Sequence, residues 1–376
     1  MHNHHPIYCI LPPHVLKKIA ENGTAGQRDR ALHTMNISEQ LRGRRNAMSQ
    51  MVAFAVLAAG EEQKTRTVYD ARFGSSLPGT VARKEGDPPV DDVTVNEAYD
   101  GSGVTYDLYS DIYGRNSIDG NGMKLDSTVH YQKGFDNAFW NGSQMVYGDG
   151  DEDLPVAERL FNRFTIAIDV IGHELTHGVT QYEANLAYFG QSGALNESWS
   201  DVFGSLVKQY NLKQAARDAD WIIGQGLITA NVNGIGLRSM KAPGTAYDDP
   251  LLGKDPQPAH MKDYVNTVND NGGVHINSGI PNRAFYVTAL EIGGFAWNKA
   301  GLIWYKALTE KLISGSNFQE AADLTFATAG ELYGVGSLEQ NAVKTGWAEV
   351  GITVDGGTST NPGCLARVMK MFGLAG

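Results

Sequence analysis

The chain has 376 residues, 42% of them hydrophobic, which is enough for two domains with cores of their own. Its formal net charge of −11 argues against nucleic acid as the main partner, and against an anionic membrane surface. With only two cysteines, Cys9 and Cys364, no disulfide framework is available, so packing has to hold the fold.

In chain order, the N-terminus has no basic start followed by an apolar run, so no cleavable secretory signal is evident. Residues 14–45 read as short helices broken at Asn22-Gly23, and residues 1–45 hold seven Lys/Arg against three Asp/Glu. A basic arm on an acidic body can dock on it or remain a solvated tail, and charge alone supports both. The apolar run 51–59 is too short to span a bilayer and reads as a buried helix or a linker.

From residue 60 to 150, Gly, Asp, Asn and Tyr become frequent. The pieces 65–69, 93–98, 104–108 and 127–131 read as strands between Gly-rich turns, giving a mostly β lobe. Pro155 is expected to open a long helical stretch through Gln181. Helices follow at about 197–210, 278–293, 297–313, 318–333 and 338–350, giving a mainly α lobe. Residues 356–363 read as a flexible linker before a short tail.

The most informative stretch is His173-Glu174-Leu175-Thr176-His177. Residues four apart on a helix share a face, so His173 and His177 can aim their imidazoles at one ion. Glu197, inside Asn196-Glu197-Ser198-Trp199-Ser200-Asp201, is the natural third ligand. Two imidazoles and one carboxylate suit zinc and leave the fourth position open for water, which marks a catalytic site. Asp201 can accept the outer ring proton of a ligating histidine, and Glu174 can take a proton from the activated water. The apolar lead-in at 164–172 would bury this helix and keep the site dry. A zinc helix between a β lobe and an α lobe would form the floor of a cleft suited to an extended ligand.

Further blocks extend this pattern. Asp270-Asn271-Gly272-Gly273-Val274-His275 follows later, and residues 137–151 contain Asn137-Ala138-Phe139-Trp140 and Tyr147-Gly148-Asp149-Gly150-Asp151. Together with the zinc motif, these ordered blocks resemble the thermolysin-like neutral metalloproteases over about residues 65–350. The resemblance implies an α+β, two-lobed metalloprotease with the zinc helix between its lobes. It implies a zinc endopeptidase with His173, His177 and Glu197 as ligands, Glu174 as general base and Asp201 orienting His173. His275 and Tyr188 would donate to the developing oxyanion, with Asp270 holding His275.

By the same resemblance, Asn137 and Ala138 pair with the substrate backbone and Arg238 binds a carbonyl beside the scissile bond. Phe161, Phe164, Val170, Ile223 and Leu237 line the pocket for the side chain that follows the bond. All are apolar, so cleavage is expected on the amino side of large hydrophobic residues. Peptide or protein substrates are the implied partners, and a monomer is expected.

The N-terminal Cys9-Ile10-Leu11-Pro12-Pro13-His14 resembles the short-propeptide, protealysin-like branch of that family, except that histidine replaces a leucine after the two prolines. This implies a small helical propeptide that covers the cleft in cis through Pro12 and Pro13, with a Cys9 thiolate on the open zinc position as a sharper variant. The expected division is propeptide 1–60, N-terminal catalytic lobe 61–178, C-terminal lobe 179–350 and a tail 351–376, with the mature start within 45–65. The family favours secretion, here by a route without an evident signal, although a cytoplasmic location fits the residues equally.

Long-propeptide members hold paired calcium ions near the site. The matching positions here include Lys208, Ile222 and Gln225, leaving only Asp169 and Asp220. Calcium takes about six to eight oxygens, so this double site is expected to be absent. The acidic turn 149–153 reads as solvated, with weak calcium binding as its alternative. Two rival readings remain. An exopeptidase lacks a group to capture a chain terminus, and a zinc-containing peptide-binding protein would need neither Glu174 nor His275.

Overall fold

The computed structural model describes residues 8–48 and 63–354, so the run 51–59, most of the expected 45–65 boundary and the tail beyond residue 354 lie outside the described residues. Strand β1 (Tyr8–Cys9) leads into helix α1 (Pro13–Asn22), where Pro13 occupies a first-turn position whose N–H would have no helical partner anyway. Gly23 ends α1, and α2 (Ala25–Met48) packs back against it.

Strands β2 (Arg66–Asp70) and β3 (Thr80–Lys84) form an antiparallel pair. The stretches 93–98 and 104–108, expected as strands, are instead one helix, α3 (Val93–Asp107). Asp92 caps it by accepting from the Thr94 and Val95 amides at 2.9 and 3.4 Å. Gly101 and Gly103 look like turn markers but serve close packing. A Cβ on Gly101 would lie 2.4 Å from Ile171 Cδ1, and one on Gly103 would lie 2.2 Å from the Arg66 guanidinium.

Strands β4 (Leu125–Val129), β5 (Ala138–Trp140) and β6 (Met145–Tyr147) complete a six-stranded sheet of order β1-β5-β6-β4-β2-β3. Its edge is supplied by the N-terminal segment, with Tyr8 opposite Trp140 and Cys9 opposite Phe139 in antiparallel register. The chain after Pro155 is not a long helix. It holds single 3-10 turns at Val156–Glu158 and Phe164–Ile166, and α4 (Ile168–Tyr182) starts only after them. Leu160 and Phe161 donate their amides to Asp151 Oδ2 at 2.8 and 3.0 Å, which takes those groups out of any helical ladder.

The second lobe begins with α5 (Gly190–Leu212). Two short pairs follow: β7 (Ile222–Ile223) with β8 (Arg238–Ser239), and β9 (Asp248–Asp249) with β10 (Gly253–Lys254). Helices α6 (Asp270–Asn277), α7 (Gly279–Ile292), α8 (Lys299–Lys306), α9 (Phe318–Tyr333) and α10 (Leu338–Glu349) complete it. The buried rings of Trp199, Trp304 and Trp347 stack through its core at 6.0 and 6.3 Å. The molecule is therefore α+β and two-lobed, with α4 between the sheet and the helical lobe. No helix among the described residues is long and apolar enough to cross a membrane.

Helices α4 and α5 cross where both lack side chains. A Cβ on Gly204 would sit 2.4 Å from the Asp169 carbonyl and 3.0 Å from the His173 amide, and one on Gly172 would sit 2.9 Å from Val207. This close approach brings the polar faces of the two helices together.

Candidate metal centre

His173 and His177 lie one turn apart on α4, and Glu197 faces them from α5; all three are fully buried. The His173 and His177 Nε2 atoms are 3.0 Å apart, and the Glu197 oxygens lie 3.6 and 3.5 Å from them. Their outer nitrogens are already engaged. His173 Nδ1 lies 2.8 Å from Asp201 Oδ1, while His177 Nδ1 is 2.8 Å from Asn196 Oδ1 and 3.0 Å from Ser200 Oγ. If each Nδ1 carries the proton, both Nε2 lone pairs converge on one point beside a carboxylate.

That arrangement repels itself without a cation. Burial, and then the neighbouring His173, push His177 well below the usual imidazole range, which keeps its ring neutral and ligating. Glu197 Oε2 has no hydrogen-bond partner among the described residues. A tetrahedral ion with bonds of about 2.0–2.2 Å needs ligand atoms about 3.4 Å apart, close to the spacings found. The donor set therefore fits zinc.

The surroundings hold these ligands in place. Arg238, on β8 and fully buried, binds both oxygens of Asp201 at 2.7 and 2.8 Å, and Asn282 adds a third bond at 2.8 Å. Burial opposes the Asp201 charge, but Arg238 and His173 outweigh it and drive its carboxyl far below the usual range. Glu174 points from α4 toward β5, where its Oε2 accepts from the Trp140 amide at 3.0 Å and its Oε1 has no hydrogen-bond partner among the described residues. Burial, followed by Glu197, pushes the Glu174 carboxyl well up, the direction that suits a proton carrier.

Tyr188 donates a short hydrogen bond to Glu197 Oε1 and lies 3.2 Å from His275 Nε2. Asp270 opens α6 in a left-handed turn, in which Asn271, Gly272 and Gly273 also have positive φ. That turn swings the Asp270 carboxylate back onto His275, accepting from its amide at 2.9 Å and contacting its Nδ1 at 2.6 Å. Burial works against charge on His275, but Asp270 and then Glu197 raise it to about 9.

The N-terminal segment enters this cleft. The Cys9 carbonyl oxygen lies 3.1 Å from His275 Nε2. The Ile10 amide donates to the Ala138 carbonyl at 3.3 Å and opposes the burial shift of Glu174. Arg238 donates to the Ile10 carbonyl at 3.1 Å, and the Leu11 amide donates to Asn137 Oδ1 at 3.0 Å. Pro12 caps α1 with extended backbone and Pro13 starts it. Phe161, Phe164, Val170, Ile223 and Leu237 are all buried in the same apolar cluster as Ile10 and Leu11. The Cys9 side chain packs with Ile37 of α2 and the rings of Tyr131, Phe135 and Phe139, and its thiol contacts Ser38 Oγ at 3.9 Å.

Lys208 stands between Asp169 and Asp220, the two acids left at the positions that match the paired calcium site. Its ammonium lies 2.8 Å from Asp169, 2.9 Å from Asp220 and 2.6 Å from the Ile222 carbonyl. The acidic turn is not a solvated one: Asp151 is buried, and Arg30 of α2 reaches into it.

Sequence reading missed Asn196 and Ser200, which hold His177, and the Trp140 amide that holds Glu174. The first two lie within the Asn196 to Asp201 stretch, four residues apart on one helix face, so spacing could have found them. A backbone donor leaves no side-chain signal.

Two family models match the chain: the catalytic domain of thermolysin metallopeptidases over residues 34–181 and their alpha-helical domain over residues 184–352. An extracellular metalloprotease of Pectobacterium carotovorum is 49% identical over 93% of this chain and 97% of its own length. A thermolysin of Bacillus caldolyticus is 42% identical over 76% of this chain and 50% of its own sequence. The solved precursor of protealysin, a metalloproteinase from Serratia proteamaculans, superposes with a TM-score of 0.83 at 52% identity, covering 92% of this chain and all of that one. With the buried His173, His177 and Glu197 cluster as its zinc-binding arrangement, the chain belongs to the thermolysin family and is a zinc metalloendopeptidase.

Proposed function

We propose that this endopeptidase cuts on the amino side of large hydrophobic residues and is made as a zymogen in which residues 1–60 occlude the cleft. The observation that carries this reading is the N-terminal strand, which pairs with β5 as an extended substrate would. The Cys9–Ile10 peptide bond then lies at the reacting position, with its carbonyl at His275 and its nitrogen near Glu174. In this reading Ile10 takes the place of the residue after the scissile bond, and the buried Phe161, Phe164, Val170, Ile223 and Leu237 are assigned to the pocket that receives it. In this reading Cys9 acts through its carbonyl rather than through a thiolate.

Zinc, when bound by His173, His177 and Glu197, supplies Lewis acidity and a water acidic enough to attack near neutral pH. Glu174 takes the proton released from the attacking water and passes it to the leaving nitrogen, a role for which its raised affinity for protons fits it. His275, held charged by Asp270, and Tyr188 donate to the carbonyl oxygen as it gains negative charge. Arg238 and Asn137 hold the substrate backbone on the far side of the bond, and Arg238 at the same time fixes Asp201 and hence His173.

The relatives named extracellular support a secreted enzyme, and the protealysin precursor supports the zymogen. Lys208 supports the absence of the paired calcium site, because its ammonium already neutralises Asp169 and Asp220. The test is Ile10→Glu in the full zinc-loaded chain. A charged side chain in the apolar pocket should release the strand and raise cleavage of an internal peptide carrying Leu or Phe after the bond by at least tenfold. Latency unchanged by this substitution would overturn the occlusion.

A further inference from the structure

Away from the zinc ligands, a second group of oxygens surrounds a cation that the chain itself provides. Arg30 on α2 projects into the turn after β6. Its Nε lies 2.9 Å from Asp151 Oδ1, and its terminal nitrogens contact Asp153 at 2.5 and 3.3 Å and the Gly150 carbonyl at 2.9 Å. Gly150 has φ +60°, and a Cβ there would strike the Asn162 carbonyl at 2.4 Å, so the backbone that aims this carbonyl requires glycine.

Asp136 completes the group and is the residue that needs explaining. Its side chain is 7% exposed, its Oδ1 faces Arg30 Nε from 4.0 Å, and that oxygen has no hydrogen-bond partner among the described residues. A buried carboxylate left this way is costly, and native proteins keep one when something else uses it. Burial, then Asp151, pushes the Asp136 carboxyl well up, as expected where one guanidinium serves three acids. Lys133 touches only the exposed rim, 3.7 Å from Asp153, with 72% of its side chain in solvent.

We propose that Asp136, Asp151, Asp153 and the Gly150 carbonyl form a divalent-cation site of the calcium class, and that Arg30 plugs it in the full chain. The donors are all oxygens, which select hard cations over zinc, and several carboxylate oxygens with one carbonyl leave room for water in a coordination shell of about six to eight. The other oxygen of Asp151 stays bound to the Leu160 and Phe161 amides, so the site is anchored to the catalytic lobe rather than to α2. Thr34, Gln27 and Arg30 attach α2 to this region, so a cation that displaces Arg30 also weakens the docking of α2. Neither the site nor this weakening rests on the zymogen reading, because the contacts that dock α2 are those of the fold itself.

The test uses the full zinc-loaded chain and calcium alone as the probe, with binding read by equilibrium dialysis and by the calcium-dependent shift in melting temperature. Arg30→Ala should take up one more calcium ion than the wild type. Adding Asp136→Asn to it should weaken that uptake at least tenfold. Equal calcium uptake by wild type and Arg30→Ala, or uptake indifferent to Asp136→Asn, would overturn the site. Should Arg30→Ala not fold, the wild type decides: calcium should speed hydrogen exchange in α2 around Thr34 at least tenfold while magnesium at equal ionic strength does not, and exchange unchanged by calcium would overturn the proposal. None of these readouts depends on peptidase activity or latency, so a failed zymogen reading and a failed cation site give different results.

Discussion

Helices α4 and α5 enclose two buried polar levels one turn apart, and the levels are neutralised in opposite ways. At Asp169 the chain supplies its own cation, Lys208, which reaches two carboxylates and a carbonyl. At His173, His177 and Glu197 no lysine or arginine among the described residues enters the ligand group, where the charged His275 ring reaches only the Glu197 edge at 3.6 Å and the donors face each other. Arg238 stands just behind, spent on Asp201 and the Ile10 carbonyl. Between these two levels of α4 and α5, the one that holds a lysine keeps its acids neutralised by the chain, and the one without lysine or arginine presents its donors to an ion.

The sharpest way to break this comparison is Glu174→Gln, which removes the proton carrier and leaves the ligands. Cleavage should fall about 10²- to 10⁴-fold, while metal analysis still finds one zinc per chain. Loss of zinc together with activity would make Glu174 a part of the scaffold.

Next in size is Lys208→Gln, which leaves Asp169 buried and uncompensated and should cost about 3–5 kcal/mol in urea unfolding. Calcium should recover part of that loss in the variant and add little to the wild type. Calcium stabilising both proteins equally would mean that Lys208 does not stand in for an ion.

A third expectation concerns pH and His14, which lies beside the centre on α1. Its Nε2 meets the Tyr247 hydroxyl at 2.9 Å and its Nδ1 has no hydrogen-bond partner among the described residues. Burial lowers it to about 4 from 6.5, with Asp270 opposing the shift and His275 and Arg238 adding to it. Because the docked form holds the proton less tightly, its stability is fully present above about pH 6.5 and is lost as pH falls toward 4. The loss approaches about 3 kcal/mol if the released segment titrates normally. Hydrogen exchange at residues 10–16 should rise across that window, and His14→Leu should flatten the rise.

The smallest expected effect is Gly204→Ala, whose methyl group would separate α5 from α4 at the Asp169 carbonyl. Overpacking of this kind costs about 1–3 kcal/mol. Zinc affinity should fall with stability, because the third ligand sits on the helix that moves. A variant that loses stability with zinc affinity intact would show that the crossing and the centre are independent.

The zinc motif was legible because its information is local: His173 and His177 share a helix face, and Glu197 to Asp201 is one further turn. His275, Tyr188 and Asp270 came only through resemblance, since their meeting depends on how α5 and α6 pack. Residues 93–107 were misread because glycines that permit helix packing look like glycines that make turns. Pro155 was misread because the Asp151 carboxylate claims the amides a helix would have used. The docking of the basic arm was open from charge alone, and Arg30 in its ring of oxygens shows what the arm meets. His14 departs from the family pattern, yet its burial against Tyr247 follows only from the fold.

The most direct test of the central claim follows zinc through the catalytic lobes. The chain, freed of residues 1–60, is stripped with a chelator, then given zinc and a quenched internal peptide with Leu after the central bond. The account predicts that cleavage disappears with the metal, returns with zinc at one ion per chain, and occurs on the amino side of the leucine. Cleavage that persists without metal, or stoichiometric zinc binding with no cleavage, would contradict it.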